Sequence, residues 1–318
     1  MLMSRLIVGL FSIGLTVVGT EVVSGDDYPS KPIRVFGASV ASTNDFAARL
    51  IAPDLSSRLG QQVIVENRPG VITIDTVAKA PPDGYVLMMQ GSNLWLSPFF
   101  DKVSYDAVRD FSPVSLLAGS PNILVAHPSL PVRSVKELIA FVKVRPGEIN
   151  YASGTTGSSS HLAAELFKAM AGVNIVRILY PVNSQRMTAV VGGEAALAFP
   201  GAVEALQHVK SGRLRALAIT SAKPSALAPG LPTMAETLPG FESASLVALF
   251  APAKTPSAII NRLNQEVVRI LSRADVKEKF FNTGNEVVGS SPEELAGYIK
   301  SDMAKIGKLV KDTGVHAD

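Results

Sequence analysis

The chain has no cysteine among its 318 residues. That excludes a disulfide framework, a thiolate nucleophile, cysteine metal ligands and lipid attachment at an N-terminal cysteine. Charge is also scarce: Asp, Glu, Lys and Arg make up 18% of the residues, and the net charge is +3. No basic stripe with interleaved aromatics occurs, so a nucleic-acid partner is not expected. The four histidines, His127, His161, His208 and His316, never stand at i, i+3 or i, i+4, so a helical metal pair is missing. Neither G-x-S-x-G nor G-x-x-x-x-G-K-[ST] is found. No catalytic residue, metal site or cofactor is therefore expected, and the chain reads as a non-enzyme. An exported hydrolase using His161 and a nearby serine is the one catalytic alternative that spacing leaves open.

What is present is apolar. Hydrophobic residues reach 47%, which rules out disorder and supplies enough core to fold without disulfides at this length. The first 25 residues differ from the rest. Arg5 precedes an apolar run from Leu6 to Val18, and Val23 and Gly25 are spaced as in a signal-peptidase site. The run is shorter than the ~20 residues a membrane span needs. A secretory signal over 1–25, cleaved near Gly25, is the expectation, with a periplasmic, monomeric product.

Short apolar runs then alternate with amphipathic stretches, the pattern of an α/β protein. Strands are expected at Ile33–Phe36, Val63–Val65, Val86–Met89, Ile123–Ala126, Ile175–Ile178 and Ala216–Ile219, covered on both faces. Ser134 and Glu137 form a capping box, and Ser291-Pro-Glu-Glu294 starts a last helix with Leu295, Ile299, Met303 and Ile306 inward. Pro256 is placed at the first position of another helix. Pro53 interrupts the apolar face of Phe46, Ala47, Leu50 and Ile51, which predicts a kink or stop near Ala52.

Three loops carry the polar chemistry. Gly37–Asp45 follows a strand and opens a helix, offering Ser39, Thr43 and Asp45. Gln90–Asn93 offers Ser92 and Asn93. Tyr151–His161 is glycine- and hydroxyl-rich and runs into helical spacing, offering Ser153, Thr155, Gly157 and Ser158. Free amides at a helix start favour an anion; an ordinary capped helix with a flexible loop is the plainer reading. His161 reads as a packing residue, and Asp45 as a helix cap or as an acceptor from a ligand amine or bridging water.

An ordered series of short motifs spans the chain from Tyr28 to about Val315. It comprises Tyr28-Pro-Ser-Lys-Pro-Ile-Arg34, Val65-Glu-Asn-Arg-Pro-Gly70, Ala80-Pro-Pro-Asp-Gly-Tyr85 and Asp110-Phe-Ser-Pro-Val114. Tyr151-Ala-Ser153 with Ser159-Ser-His-Leu162, Gly212-Arg-Leu-Arg-Ala-Leu-Ala218 and Leu249-Phe-Ala-Pro-Ala253 complete it. The series resembles the extracytoplasmic solute receptors of the tripartite tricarboxylate transporters, the Bug family. The resemblance implies a two-lobed type II periplasmic-binding-protein fold with a hinge of two crossover strands, near Pro121–Ala126 and Ser243–Ala251. Lobe one would be 28–122 with 248–318, and lobe two 123–247. It also implies a small organic acid as ligand and membrane transporter subunits as partners.

The departures from the family pattern fall on the expected cleft. Ala41-Ser-Thr-Asn44 stands where the family has glycines and a threonine, Val71–Ile74 replaces a glycine-rich stretch, and Tyr180-Pro-Val182 replaces a Tyr-Lys-Gly turn. Pro200 replaces an aspartate and Leu246 an aromatic. An atypical ligand, or weaker binding of the usual ones, is the implication. After the altered turn come Asn183 and Arg186. Arg186 is either a replacement carboxylate clamp or a solvated helix residue. A repurposed scaffold, acting as a sensor or protein-interaction module with its cleft filled, is the alternative that these departures raise.

Overall fold

The computed structural model describes residues 28–314 other than 41, 69 and 181. Residues 1–27, which include the expected signal segment, Ala41, Pro69, Pro181 and the residues after Gly314 lie outside the described residues. Among those described, no helix is long and apolar enough to cross a membrane. The strands are β1 (Ile33–Phe36), β2 (Val63–Glu66), β3 (Val86–Gln90), β4 (Phe111–Pro121), β5 (Ile123–Ala126), β6 (Asn150–Ser153), β7 (Val176–Leu179), β8 (Leu197–Ala198), β9 (Arg215–Ile219), β10 (Ala244–Pro252) and β11 (Glu286–Val287). The helices are α1 (Thr43–Leu59), α2 (Gly70–Ala78), α3 (Asn93–Leu96), α4 (Val135–Lys143), α5 (Ser159–Ala171), α6 (Asn183–Val191), α7 (Ala202–Lys210), α8 (Ser257–Leu271), α9 (Ala274–Asn282) and α10 (Pro292–Thr313).

Two sheets result. One has the order β11-β4-β10-β3-β1-β2, the other β7-β6-β8-β5-β9. β1 runs parallel to β2 and β3, and β6 parallel to β7 and β8. β10 pairs antiparallel with β3 and β4. The chain leaves the first sheet at Pro121 and enters the second at Ile123, with Asn122 alone between them. It returns through β10. This is the two-sheet α/β architecture that the family resemblance implies.

The expected strands are present, with β7 shifted one residue along. β2 and β7 are not covered on both faces, because each ends its sheet. Neither β4 nor β10 is read from an apolar run, and β10 falls where the family resemblance implies the second crossing, near Ser243–Ala251. Both are long crossover strands whose serines and prolines blur the apolar run. One apolar cluster, with Trp95, Phe167, Phe199, Leu246 and Ile306, is continuous between the sheets. Two others fill the outer faces under α1 and α8, and under α6 and α7.

Three helix expectations need correction. Glu137 accepts the amide of Arg133, not that of Ser134, so only half of that box closes. Pro256 precedes α8 as its cap, because its ψ of 137° is extended. Around Ser291 the box is complete, with Pro292 at the first position.

The third correction is Pro53, which α1 passes without a break. The proline is exposed while Ala47, Ala48, Ile51, Ala52 and Leu55 are buried. Water can therefore satisfy the carbonyl of Arg49 that loses its amide partner, and the buried stripe holds the helix together. Pro53→Ala should restore that hydrogen bond and stabilise the protein by roughly 2 kcal/mol, read as a higher urea midpoint at unchanged slope.

Candidate functional site

The parallel strands deliver three loops to their carboxyl ends, where ligands of open α/β sheets bind. After β1, Ser42 caps α1: its Oγ accepts the amide of Asp45 at 3.2 Å and donates to the carbonyl of Gly37. The cap is thus Ser42, not Asp45. The Asp45 carboxylate accepts from Arg49 Nε and Asn67 Nδ2, both at 2.8 Å, and so ties this loop to the one after β2. Gly37 fits closely there: a Cβ would stand 3.0 Å from Asp45 Cα and press on the start of α1.

After β6, Ser158 caps α5 by accepting the amide of His161. Gly157 has φ of 78°, a left-handed conformation that favours glycine. Its amide donates to His161 Nδ1 at 3.2 Å. His161 is buried, so it holds the loop from beneath, in line with the packing role expected of it. Arg177 grips the same loop through Thr156 Oγ1 and the Gly154 carbonyl.

Arg186 on α6 is 5% exposed, which removes the solvated reading. Its Nη1 donates to Ser160 Oγ at 3.4 Å and its Nη2 to Asn183 Oδ1 at 3.0 Å, and it lies 3.6 Å from Glu204. Burial lowers the guanidinium pKa, with Glu204 opposing. Burial likewise raises the Glu204 carboxyl, with Arg186 opposing.

These loops surround a divided cleft. A compartment of ≈ 280 Å³ is lined by Thr43, Ser92, Asn93, Gly157 and Ser158, by Glu242–Val247 of the return crossing, and by Tyr298, Asp302 and Ile306 of α10. A second, of ≈ 560 Å³, is lined by Thr43, Asn122, Ser158, Asn183, Arg186, Glu204 and Ser245, among others. A small third compartment of ≈ 190 Å³ adds Thr155 beside Asn93, Gly157 and Ser158. Thr43, Ser158 and Ser245 border both larger compartments.

Of the residues nominated from sequence, Thr43, Ser92, Asn93, Thr155, Gly157, Ser158, Asn183 and Arg186 come together here. Ser39 is exposed and lines none of these compartments, Asp45 is engaged as described, and Ser153 is buried with its Oγ on the Gly154 carbonyl. Among the altered positions, Leu246 lines the smaller of the two main compartments. Pro200 accepts the amide of Ile123 at the junction between sheets.

The α10 wall was missed. Its only trace in the sequence is Asp302, an acid beside the apolar stripe. Asp302 accepts from Trp95 Nε1 at 2.9 Å, and Trp95 is fully buried. Lys305 lies 3.7 Å from Asp302 and donates to the Glu242 carbonyl. Burial, then the negative charges of Asp302 and Glu242, push the Tyr298 phenol upward.

Residues 47–315 match the family described as tripartite tricarboxylate transporter family receptor. Protein BugT of Bordetella pertussis is 35% identical over 300 residues, covering 92% of each chain. A Rhodopseudomonas palustris (R. palustris) protein solved with adipate is 33% identical, covers 91% of this chain and 99% of its own, and superposes with a TM-score of 0.72. The periplasmic binding protein BugD is 29% identical over 91% of this chain and 99% of its own, with a TM-score of 0.68.

Proposed function

This chain belongs to the receptor family of the tripartite tricarboxylate transporters, and from that membership we propose that it captures a small organic acid in the cleft between its two sheets. The carrying observation is that the N-termini of α1 and α5, rooted in different sheets, border the same compartments through Thr43 and Ser158. Each helix start offers unsatisfied amides and the positive end of a dipole to an anion. The relative solved with adipate supports a carboxylate. The open cleft supports capture over the scaffold reading, which expects the cleft to be filled by the protein's own side chains.

In this reading Thr43, Ser92, Asn93, Thr155, Gly157, Ser158, Asn183 and Arg186 face the ligand. Residues 28–122 with 248–318 form one lobe and 123–247 the other, closing about the two crossings. The protein is a monomer exported to the periplasm after cleavage near Gly25, it delivers its ligand to membrane subunits, and it performs no catalysis.

Thermal melting against a panel of carboxylates tests this. A specific acid at 100 times its dissociation constant should stabilise the fold by ~2.7 kcal/mol. Mass spectrometry of small molecules released from the native protein should show an organic acid. If no acid shifts the melt at millimolar level and none co-purifies, the reading fails.

Trp95 supplies an optical readout. Its indole is one hydrogen bond from Asp302 on the cavity wall, so a ligand reaching that wall should change its emission. A bound ligand that leaves the emission unchanged would place itself in the larger compartment instead.

A further inference from the structure

We propose that the larger compartment takes its acid together with one proton, shared between the ligand's carboxylate and that of Glu204. The inference rests on the carboxylate-receptor reading and adds to it the protonation state of the bound complex.

Arg186 and Glu204 are the charged residues among those lining the ≈ 560 Å³ compartment. They stand 3.6 Å apart, one positive and one negative, so the lining is neutral before a ligand enters. The guanidinium is the enclosed member of the pair, with 6% of its side chain exposed against 28% for Glu204. Its Nη1 donates to Ser160 Oγ and its Nη2 to Asn183 Oδ1. Nη1 also lies against Gly154, where a Cβ would come within 3.0 Å of it. The open end of the pair is therefore the acid. A carboxylate drawn to Arg186 arrives beside the carboxylate already there.

Nothing else in the lining offsets a second negative charge. The remaining positions, from α1, α5, α6, α7, the two crossings and the turn after α9, are hydroxyl, amide, glycine, alanine and valine residues. The starts of α1 and α5 attract an anion through partial charges that fade within one turn. On α7, His208 stands one turn beyond Glu204, in a compartment between α6 and α7 that Glu204 also borders. Burial, then Arg213, lower the His208 pKa and keep its ring uncharged at neutral pH.

Two carboxylates in one site do not both stay ionised. Burial already raises the Glu204 carboxyl, with Arg186 opposing, and the ligand adds a like charge. A proton taken from solvent turns the repulsion into a hydrogen bond between a carboxyl and a carboxylate, and one negative charge remains for Arg186. Binding therefore tightens as pH falls through the interval between the Glu204 pKa in the free protein and its higher value in the complex. Below that interval Glu204 is protonated before the ligand arrives, and the dependence ends.

The test is isothermal titration of the purified mature chain with adipate, malate and 3-phenylpropanoate between about pH 6.5 and 8.5, where the acids themselves are ionised. Each pH is run in two buffers of different protonation enthalpy, which counts the protons taken up. An acid that binds should take up about one proton toward the lower pH, and its affinity should rise by up to about tenfold per pH unit on the way down. Glu204→Gln should remove the uptake and flatten the pH dependence, because an amide has no proton to gain. His208→Gln should leave both unchanged. The proton count in the unmodified protein needs no variant: a count near zero for every acid that binds overturns the proposal while leaving the receptor reading intact. Uptake that survives Glu204→Gln, or that disappears in His208→Gln, also overturns it. Failure of every acid to bind overturns the receptor reading, and the proposal with it.

Discussion

Lys168→Met should cost about 3 kcal/mol of unfolding free energy, measured by urea denaturation. Glu165, 3% exposed, lies inside α5, and its carboxylate accepts from Lys168 Nζ at 2.9 and 2.8 Å and from the Tyr151 hydroxyl at 2.6 Å. Removing one partner of a buried pair costs roughly 3–5 kcal/mol, because the other charge is left without compensation. The low end applies, since the Lys168 side chain keeps 26% of its exposure and water can partly replace it. Glu165→Leu made together with Lys168→Met and Tyr151→Phe should recover most of the loss, because the apolar set leaves no charge or hydroxyl unpaired. A triple variant no more stable than the single one would show that the cost lies elsewhere. The effect bears on function because α5 presents Ser158 to the cleft.

Gly154→Val should weaken carboxylate binding by about 100-fold, an effect of roughly 3 kcal/mol. A Cβ at Gly154 would lie 2.8 Å from Ser158 Oγ, 2.9 Å from Ser160 Oγ and 3.0 Å from Arg186 Nη1. These are side-chain tips held by hydrogen bonds rather than backbone, so the fold can yield by moving them, at a stability loss of roughly 1–3 kcal/mol. What moves is the binding apparatus itself. Displacing the guanidinium and the α5 cap removes charge-assisted hydrogen bonds worth roughly 1.5–3 kcal/mol each. Gly154→Ala should show the same pattern at smaller size. Titration calorimetry on the folded variants separates the two losses, and an unchanged dissociation constant in the valine variant would remove Arg186 and Ser158 from the site.

Much of this molecule was legible in the sequence, for identifiable reasons. β5 is short and wholly apolar, and β1 is apolar but for Arg34; both are bounded by polar or turn-forming residues, so composition locates them. The capping box at Ser291 is local chemistry and closes as written. The three loops were visible because hydroxyls and glycines stood between an apolar run and a helical one. What stayed hidden depends on residues distant in the chain. Asp302 meets Trp95 across 207 positions, and no spacing rule connects them. Asn122 reads as one polar residue in an apolar stretch, and its bonds to Phe199 and Thr220, 77 and 98 positions away, follow no spacing rule. Pro53 misled because its local penalty is outweighed by the buried stripe on the opposite face, which keeps α1 continuous.

The placing of the strands also sets an order of assembly. Every strand of the second sheet lies between Ile123 and Ile219, so that sheet can complete itself as a continuous stretch of chain. The first sheet cannot. β4 has no hydrogen-bonded neighbour until β10 and β11 arrive, long after β1, β2 and β3 have been made. A chain that emerges N-terminus first would hold half a sheet with an open edge while the inserted sheet folds, and that edge is a template for wrong pairing. The cleft, which needs α10 as a wall, is the last part to exist.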